Sequence, residues 1–210
     1  NPDYVYLDYV YFARLLEADK QYEEAVVQFN KALSMDKSHT EIYKDISDVY
    51  EKKRDFPKAI EAYKNYLDEM KSSPDISDLF LYGRLNYYAA TDSAYQDKQP
   101  TYLAEADTIF AQVAVKVPDN YLGNFWRARV NSLRDPETTQ GLAKPYYEAA
   151  LSILEQKPDA TKSVLVECNS YLGYYYFVKE DYNQSKQYWN KILEIDPENE
   201  TATKALGGIK

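Results

Sequence analysis

The chain has 210 residues, with 25 Lys+Arg against 34 Asp+Glu and a formal net charge of -9, a balance that disfavours a phosphate-neutralising nucleic-acid binder. Cys168 is the only cysteine and His39 the only histidine, so an intrachain disulfide is excluded and a Cys/His metal site has no ligands to draw on. No run nears the ~20 apolar residues a membrane span requires, and 23 tyrosines beside only 6 glycines favour interlocked helices over strands.

Residues 19–33 (DKQYEEAVVQFNKAL) carry helical periodicity and align along their whole length with 53–67 (KRDFPKAIEAYKNYL) at an offset of 34. Ala25 falls on Ala59, Tyr22 on Phe56 and Phe29 on Tyr63. The segment 180–199 (EDYNQSKQYWNKILEIDPEN) continues the pattern with Tyr182, Ser185, Trp189 and Ile192. Repeats are predicted over 6–39, 40–73, 76–120, 121–157 and 166–199, each a helix A, a turn and a helix B, with a C-terminal cap at 200–210.

In this ruler of 34 positions, position 8 is Ala13, Ser47, Gly83, Ala128 and Gly173, and position 20 is Ala25, Ala59, Ala106, Ala143 and Ser185. Position 24 is aromatic throughout: Phe29, Tyr63, Phe110, Tyr147 and Trp189. Small residues at 8 and 20 let helices A and B cross closely, and the ring at 24 fills the space towards a neighbour. These residues resemble the tetratricopeptide repeat (TPR) family. The resemblance implies an all-α, right-handed α-solenoid of about five helix-turn-helix repeats, folded as one domain over 1–210. Position 27 departs from the family's small residue at Tyr66, Val113 and Ile192.

Local irregularities carry their own expectations. The third repeat holds extra residues at 91–100 (TDSAYQDKQP), which read as a surface loop. The fourth is lengthened around Asp135-Pro136-Glu137-Thr138 and has Gln140 at position 17, where Tyr22, Phe56 and Tyr182 are rings, so its turn must differ. Asp159 reads as the N-cap of a long helix over about 160–179. His39 reads as a solvated linker residue, Cys168 as a buried small hydrophobe, and Gly207-Gly208 as a fraying end. Pro2-Asp3 looks like an inter-repeat linker and suggests a fragment of a longer array, probed by where the full reading frame starts.

At 100° per residue, helix-A positions 2, 5, 6, 9, 12 and 13 lie opposite the core stripe. In the family that side lines a concave peptide-binding groove. Carried over position by position, the resemblance offers Tyr11, Arg14, Arg84, Tyr87, Tyr88, Phe125, Trp126, Arg129 and Tyr174 as partner-binding residues. Arg and large aromatics are the side chains that dominate binding hot spots. The Lys/Asn clamp that TPR cochaperones use for chaperone tails is missing, since Val10-Tyr11 and Lys44-Asp45 stand in its place. Phosphate-cradling glycine loops, nucleophile elbows and HExxH or CxxC patterns are absent, so no catalysis and no cofactor are expected.

The expected function is a protein-interaction scaffold for an extended peptide or partner helix. The alternatives are an architectural spacer or oligomerisation element of a larger envelope protein, or a glycan binder using its flat rings. Many tyrosines in acidic repeats resemble exported repeat proteins of Gram-negative bacteria, which favours the periplasm or cell envelope over the cytosol.

Overall fold

The computed structural model describes residues 5–70 and 72–209; the Pro2-Asp3 start lies outside them. The described residues form eleven α-helices and no strand. They are α1 (Tyr6–Ala18), α2 (Tyr22–Met35), α3 (Ile42–Lys52), α4 (Phe56–Glu69), α5 (Ile76–Thr91), α6 (Gln99–Lys116), α7 (Leu122–Arg134), α8 (Lys144–Leu154), α9 (Lys162–Val178), α10 (Tyr182–Ile195) and α11 (Glu200–Gly208). Two compact units are present, Asn1–Tyr102 and Leu103–Lys210.

All ten residues at positions 8 and 20 are buried, and so are the five rings at position 24. Where one member of the small pair is serine, its hydroxyl reports how near the helices run. Ser47 Oγ donates to the Ala59 carbonyl at 2.8 Å, and Ser185 Oγ donates to the Gly173 carbonyl at 2.8 Å. Side chains this short reach the opposing backbone only where nothing larger separates the helices. The serines also satisfy their own buried hydroxyls in doing so.

The A-to-B turns of four of the repeats share one backbone feature. Lys20, Arg54, Thr138 and Glu180 occupy the same ruler position and all adopt left-handed backbone, with φ between 57 and 64°. In three of them the next N–H closes a wide loop onto the helix end: Gln21 onto Leu16, Asp55 onto Tyr50 and Asp181 onto Tyr176. The fourth repeat has a different solution, as its sequence requires. There Asp135 is buried and its Oδ2 accepts the N–H groups of Gln140 at 3.0 Å, Gly141 at 2.7 Å and Leu142 at 3.4 Å. Burial acts to raise the pKa of this carboxyl, but the converging N–H donors hold it below the ordinary carboxylate value. Helix α8 begins only at Lys144, after this knot.

Four local expectations need correction. Segment 91–100 is not an open loop: α5 runs to Thr91, Ser93–Lys98 forms a 3-10 turn, and α6 starts at Gln99. Asp92 caps it through the Ala94 N–H at 2.9 Å and takes Arg54 Nη2 at 2.6 Å, while Tyr95 packs edge-on against Phe56 and donates to the Arg54 carbonyl. Asp159 does not cap α9, which starts two residues beyond the expected point with Thr161 at its N-cap. Helix α11 runs through Gly207 to Gly208 instead of fraying, because Ile209 beyond it folds back into a cluster with Trp189, Ile192 and Ala202. His39 does lie in the linker between α2 and α3, but it is half-buried and its ring stacks on Tyr6 with centroids 3.8 Å apart. Cys168 is fully buried, as read from the sequence.

Ala59→Leu should overpack the crossing of α3 and α4 and lower stability by about 1–3 kcal/mol, read as a reduced urea midpoint at unchanged m-value.

Candidate functional site

The outward face of the A helices is built on register. Positions 3, 7 and 10 of a helix A lean on the preceding hairpin, position 8 leans on its own helix B, positions 2, 9 and 12 face outward, and positions 5 and 6 are open in some repeats and buried in others. Charged residues at these positions find one another on successive A helices.

In the unit Asn1–Tyr102, Arg14 Nη2 lies 3.0 Å from Asp45 Oδ2 and Lys52 Nζ lies 2.5 Å from Glu17 Oε1, both linking α1 to α3. Arg84 Nη2 meets Glu51 Oε1 at 3.5 Å and Lys44 Nζ meets Asp78 Oδ1 at 2.9 Å, linking α3 to α5. Burial raises the pKa of Asp45, opposed by Arg14, and burial with the Glu51 charge raises that of Asp48. Tyr11 is 61% exposed on α1. Tyr87 and Tyr88 are half-buried and touch edge to face, with Arg84 5.6 Å from the centre of the Tyr88 ring.

In the unit Leu103–Lys210, Arg129 grips Glu167 with two parallel bonds, Nε to Oε1 at 2.7 Å and Nη2 to Oε2 at 2.5 Å. Tyr147 donates its hydroxyl to the same Glu167 at 3.2 Å. The Arg129 guanidinium also lies 4.5 Å from the Phe125 ring centre and 5.0 Å from that of Trp126. Those two rings, expected on the open face, are core residues: Phe125 is 3% and Trp126 7% exposed. Trp126 stacks on Phe110 at 5.4 Å and Phe125 packs edge-on against Tyr147 at 6.2 Å. The reason is that α7 is hemmed in by α6 and by α8, whose ring at position 24 claims the space beside it. The three sequence-selected arginines therefore bind carboxylates of neighbouring A helices, in pairs partly shielded from water at Arg84 and Arg129 and exposed at Arg14.

Tyr174 stays outside the core at 43% exposure on α9. One turn on, Phe177 is also exposed, and the two rings line a cavity of about 240 Å³ with Trp189, Lys204, Ala205, Gly208 and Ile209. Apart from Lys204, paired at its rim with Glu200 at 3.0 Å, the wall is made of aromatic and aliphatic groups. Sequence reasoning placed Phe177 on the outward face but did not select it, and assigned Trp189 to the core alone. The signal for the cavity was the tail, where Ala202, Leu206 and Ile209 repeat positions 3, 7 and 10 of a helix A and seat α11 beside α9.

Among the described residues, no group of three or more His, Cys, Asp or Glu side chains is arranged to hold a metal ion, and no helix is long and apolar enough to cross a membrane. Burial raises the Cys168 thiol from 9.0 to about 12, helped by the Glu167 charge and opposed by Arg129. Burial likewise pushes the phenols of Tyr63 and Tyr147 upward, with Asp78 and Glu167 adding to the shift.

The family model described as tetratricopeptide repeat matches residues 9–39 and 171–199. No curated protein matches the sequence. Among solved structures, the chain is similar to the C-terminal part of a TPR repeat-containing protein from Cytophaga hutchinsonii, with 30% identity and a TM-score of 0.82 over 97% of this chain and 74% of that one. It also resembles YrrB, described as a TPR protein with an unusual peptide-binding site, at 20% identity and a TM-score of 0.62, covering 94% of this chain and 89% of the other. MamA residues 41 to the end from Desulfovibrio magneticus RS-1 align at 11% identity and a TM-score of 0.65, over 93% and 97% of the two chains. The last two likenesses are of fold alone.

Groups kept protonated by the fold contribute stability up to their unfolded pKa and lose it as pH rises towards the folded value. Denaturant unfolding should therefore show stability flat between about pH 7 and 8 and falling above about pH 9, where Cys168 ionises only when unfolded, with the tyrosines adding above about pH 10. Cys168→Ala should remove the onset nearest pH 9. A profile that stays flat to about pH 11 would contradict the assigned burial.

Proposed function

Because the chain belongs to the tetratricopeptide repeat family, we propose that it is a non-catalytic interaction scaffold that holds an extended peptide or a partner helix against the exposed faces of its A helices. The observation that supports this most is the cavity under Tyr174 and Phe177. Two large rings kept at the surface, over a wall of Trp189, Ala205 and Ile209, suit an apolar side chain of a partner, which would gain burial without disturbing the ion pairs elsewhere on the face. YrrB is described by a peptide-binding site on the same fold, which makes this reading natural for the present chain.

Charge chemistry sets the partner's character. With Arg14, Arg84 and Arg129 committed to Asp45, Glu51 and Glu167, the face has little cationic capacity left over for an acidic tail. A peptide with one or two aliphatic or aromatic anchors and few carboxylates fits better. Trp126 is unsuited as a probe, because Trp126→Ala opens a cavity beside Phe110 at a cost of about 3–5 kcal/mol and reports on folding.

The test is a displayed-peptide selection on the intact chain, followed by titration of the selected peptide into wild type and into Tyr174→Ala/Phe177→Ser. Both substituted rings are exposed, so the thermal midpoint should move by no more than about 2 °C while affinity falls at least about tenfold. Equal affinity in the two proteins would remove this cavity as the binding site.

A further inference from the structure

Each helix A after the first buries positions 3, 7 and 10 against the hairpin before it or engages them there. In α3 these are Ile42, Ile46 and Val49, all buried in one cluster with Ala25, Val26, Phe29 and Leu33 of α2. In α9 they are Cys168, Leu172 and Tyr175, the first two with no exposed surface. Helix α11 places Ala202, Leu206 and Ile209 against Trp189 and Ile192 of α10 in the same register.

Helix α1 carries the same face, exposed among the described residues. Its positions 3, 7 and 10 are Asp8, Phe12 and Leu15; Phe12 is 49% and Leu15 66% exposed, and Asp8 is exposed too. The residue types match those of α5 one for one: Asp8 with Asp78, Phe12 with Tyr82, and Leu15 with Leu85. The helix starts match as well. Asp8 accepts the Val5 N–H at 2.9 Å as Asp78 accepts that of Asp75 at 3.4 Å, although only Asp75 returns a side-chain bond, to the Asp78 N–H at 2.8 Å.

What covers this face in α5 is on view. Tyr63 of α4 stacks flat on Tyr82 at 5.9 Å and packs with Leu85. Tyr63 and Tyr66 aim their hydroxyls at Asp78 at 3.4 and 3.5 Å, and Lys44 of α3 completes the set with its ammonium 2.9 Å from the same carboxylate. The cover is thus a hairpin whose second helix offers two tyrosines three residues apart and whose first helix offers a lysine. Each feature answers one on the covered side: a flat ring for the aromatic at position 7, apolar surface for the leucine at 10, and a cation with two donors for the aspartate at 3.

We propose that the Asp8/Phe12/Leu15 face of α1 is a docking surface for a two-helix hairpin of this repeat type, bearing Tyr-x-x-Tyr in its second helix and a lysine in its first. The surface repeats, residue type for residue type, the face that α5 presents to α3 and α4. It is separate from the cavity at Tyr174 and does not rest on the peptide-binding reading.

The test supplies such a hairpin. A copy of residues 40–74 is joined directly ahead of Val5 in the full chain, so that Val5 takes the place Asp75 has after α4. The added hairpin should raise the thermal midpoint by about 5 °C or more and slow amide exchange in α1 at least about tenfold. Leu15→Glu should abolish both gains in the extended chain while shifting the unextended chain by no more than about 1 °C. An added hairpin that trypsin removes, with α1 exchange unchanged, overturns the proposal. So does an unextended chain that is dimeric and becomes monomeric on Leu15→Glu, since that gives the face to a second copy.

Discussion

The close crossing of helix A over helix B, set by two small residues, is the constraint from which the rest follows. Once Ser47 can reach the Ala59 backbone and Ser185 that of Gly173, the two helices act as one slab, and the ring at position 24 is pushed out to meet the next slab. A single hairpin has nothing to cover that ring. Neighbouring hairpins do, which is why repeats of this kind are stable only in company.

A second consequence is electrostatic. Stacking brings A helices side by side, and their outward positions carry both signs, so the cations are drawn into pairs with the carboxylates next door. Arg129 is the extreme case, with two short bonds to Glu167, the Tyr147 hydroxyl on the same carboxylate, and two rings beneath it. Such pairs contribute more to fixing the register of neighbouring helices than to bulk stability, because desolvation offsets much of their attraction. The exposed apolar surface they leave includes Tyr174 and Phe177 in one unit and Phe12 and Leu15 in the other.

Much of the fold was legible in the sequence because the signal is local and repeated: Ala25, Ala59 and Ala106 sit where matching positions must be small, and all three have no exposed surface. The site was less legible. A helical wheel puts Phe125 and Trp126 on the side away from helix B but says nothing of which neighbour closes over that side. The arginines were recognised as special, yet their partners Asp45, Glu51 and Glu167 lie more than thirty residues away and cannot be paired from one chain of letters. Segment 91–100 has the composition of a loop; what orders it is one contact set around Asp92 and Tyr95 that depends on Arg54 and Phe56. The cavity at α9 forms only because the tail returns as a lone helix A.

The crossing can be tested by the sign of one substitution. Gly173 lies inside α9, where alanine would ordinarily stabilise a helix by about 1 kcal/mol. A Cβ there would stand 2.8 Å from Trp189 Cε2, in a ring that is itself buried, whereas at Gly207 it would meet nothing within 4 Å. Urea unfolding should show Gly173→Ala less stable than wild type by about 1 kcal/mol or more and Gly207→Ala at least as stable as wild type. A Gly173→Ala chain stabilised to the same degree as Gly207→Ala would show that the two helices do not depend on that close approach.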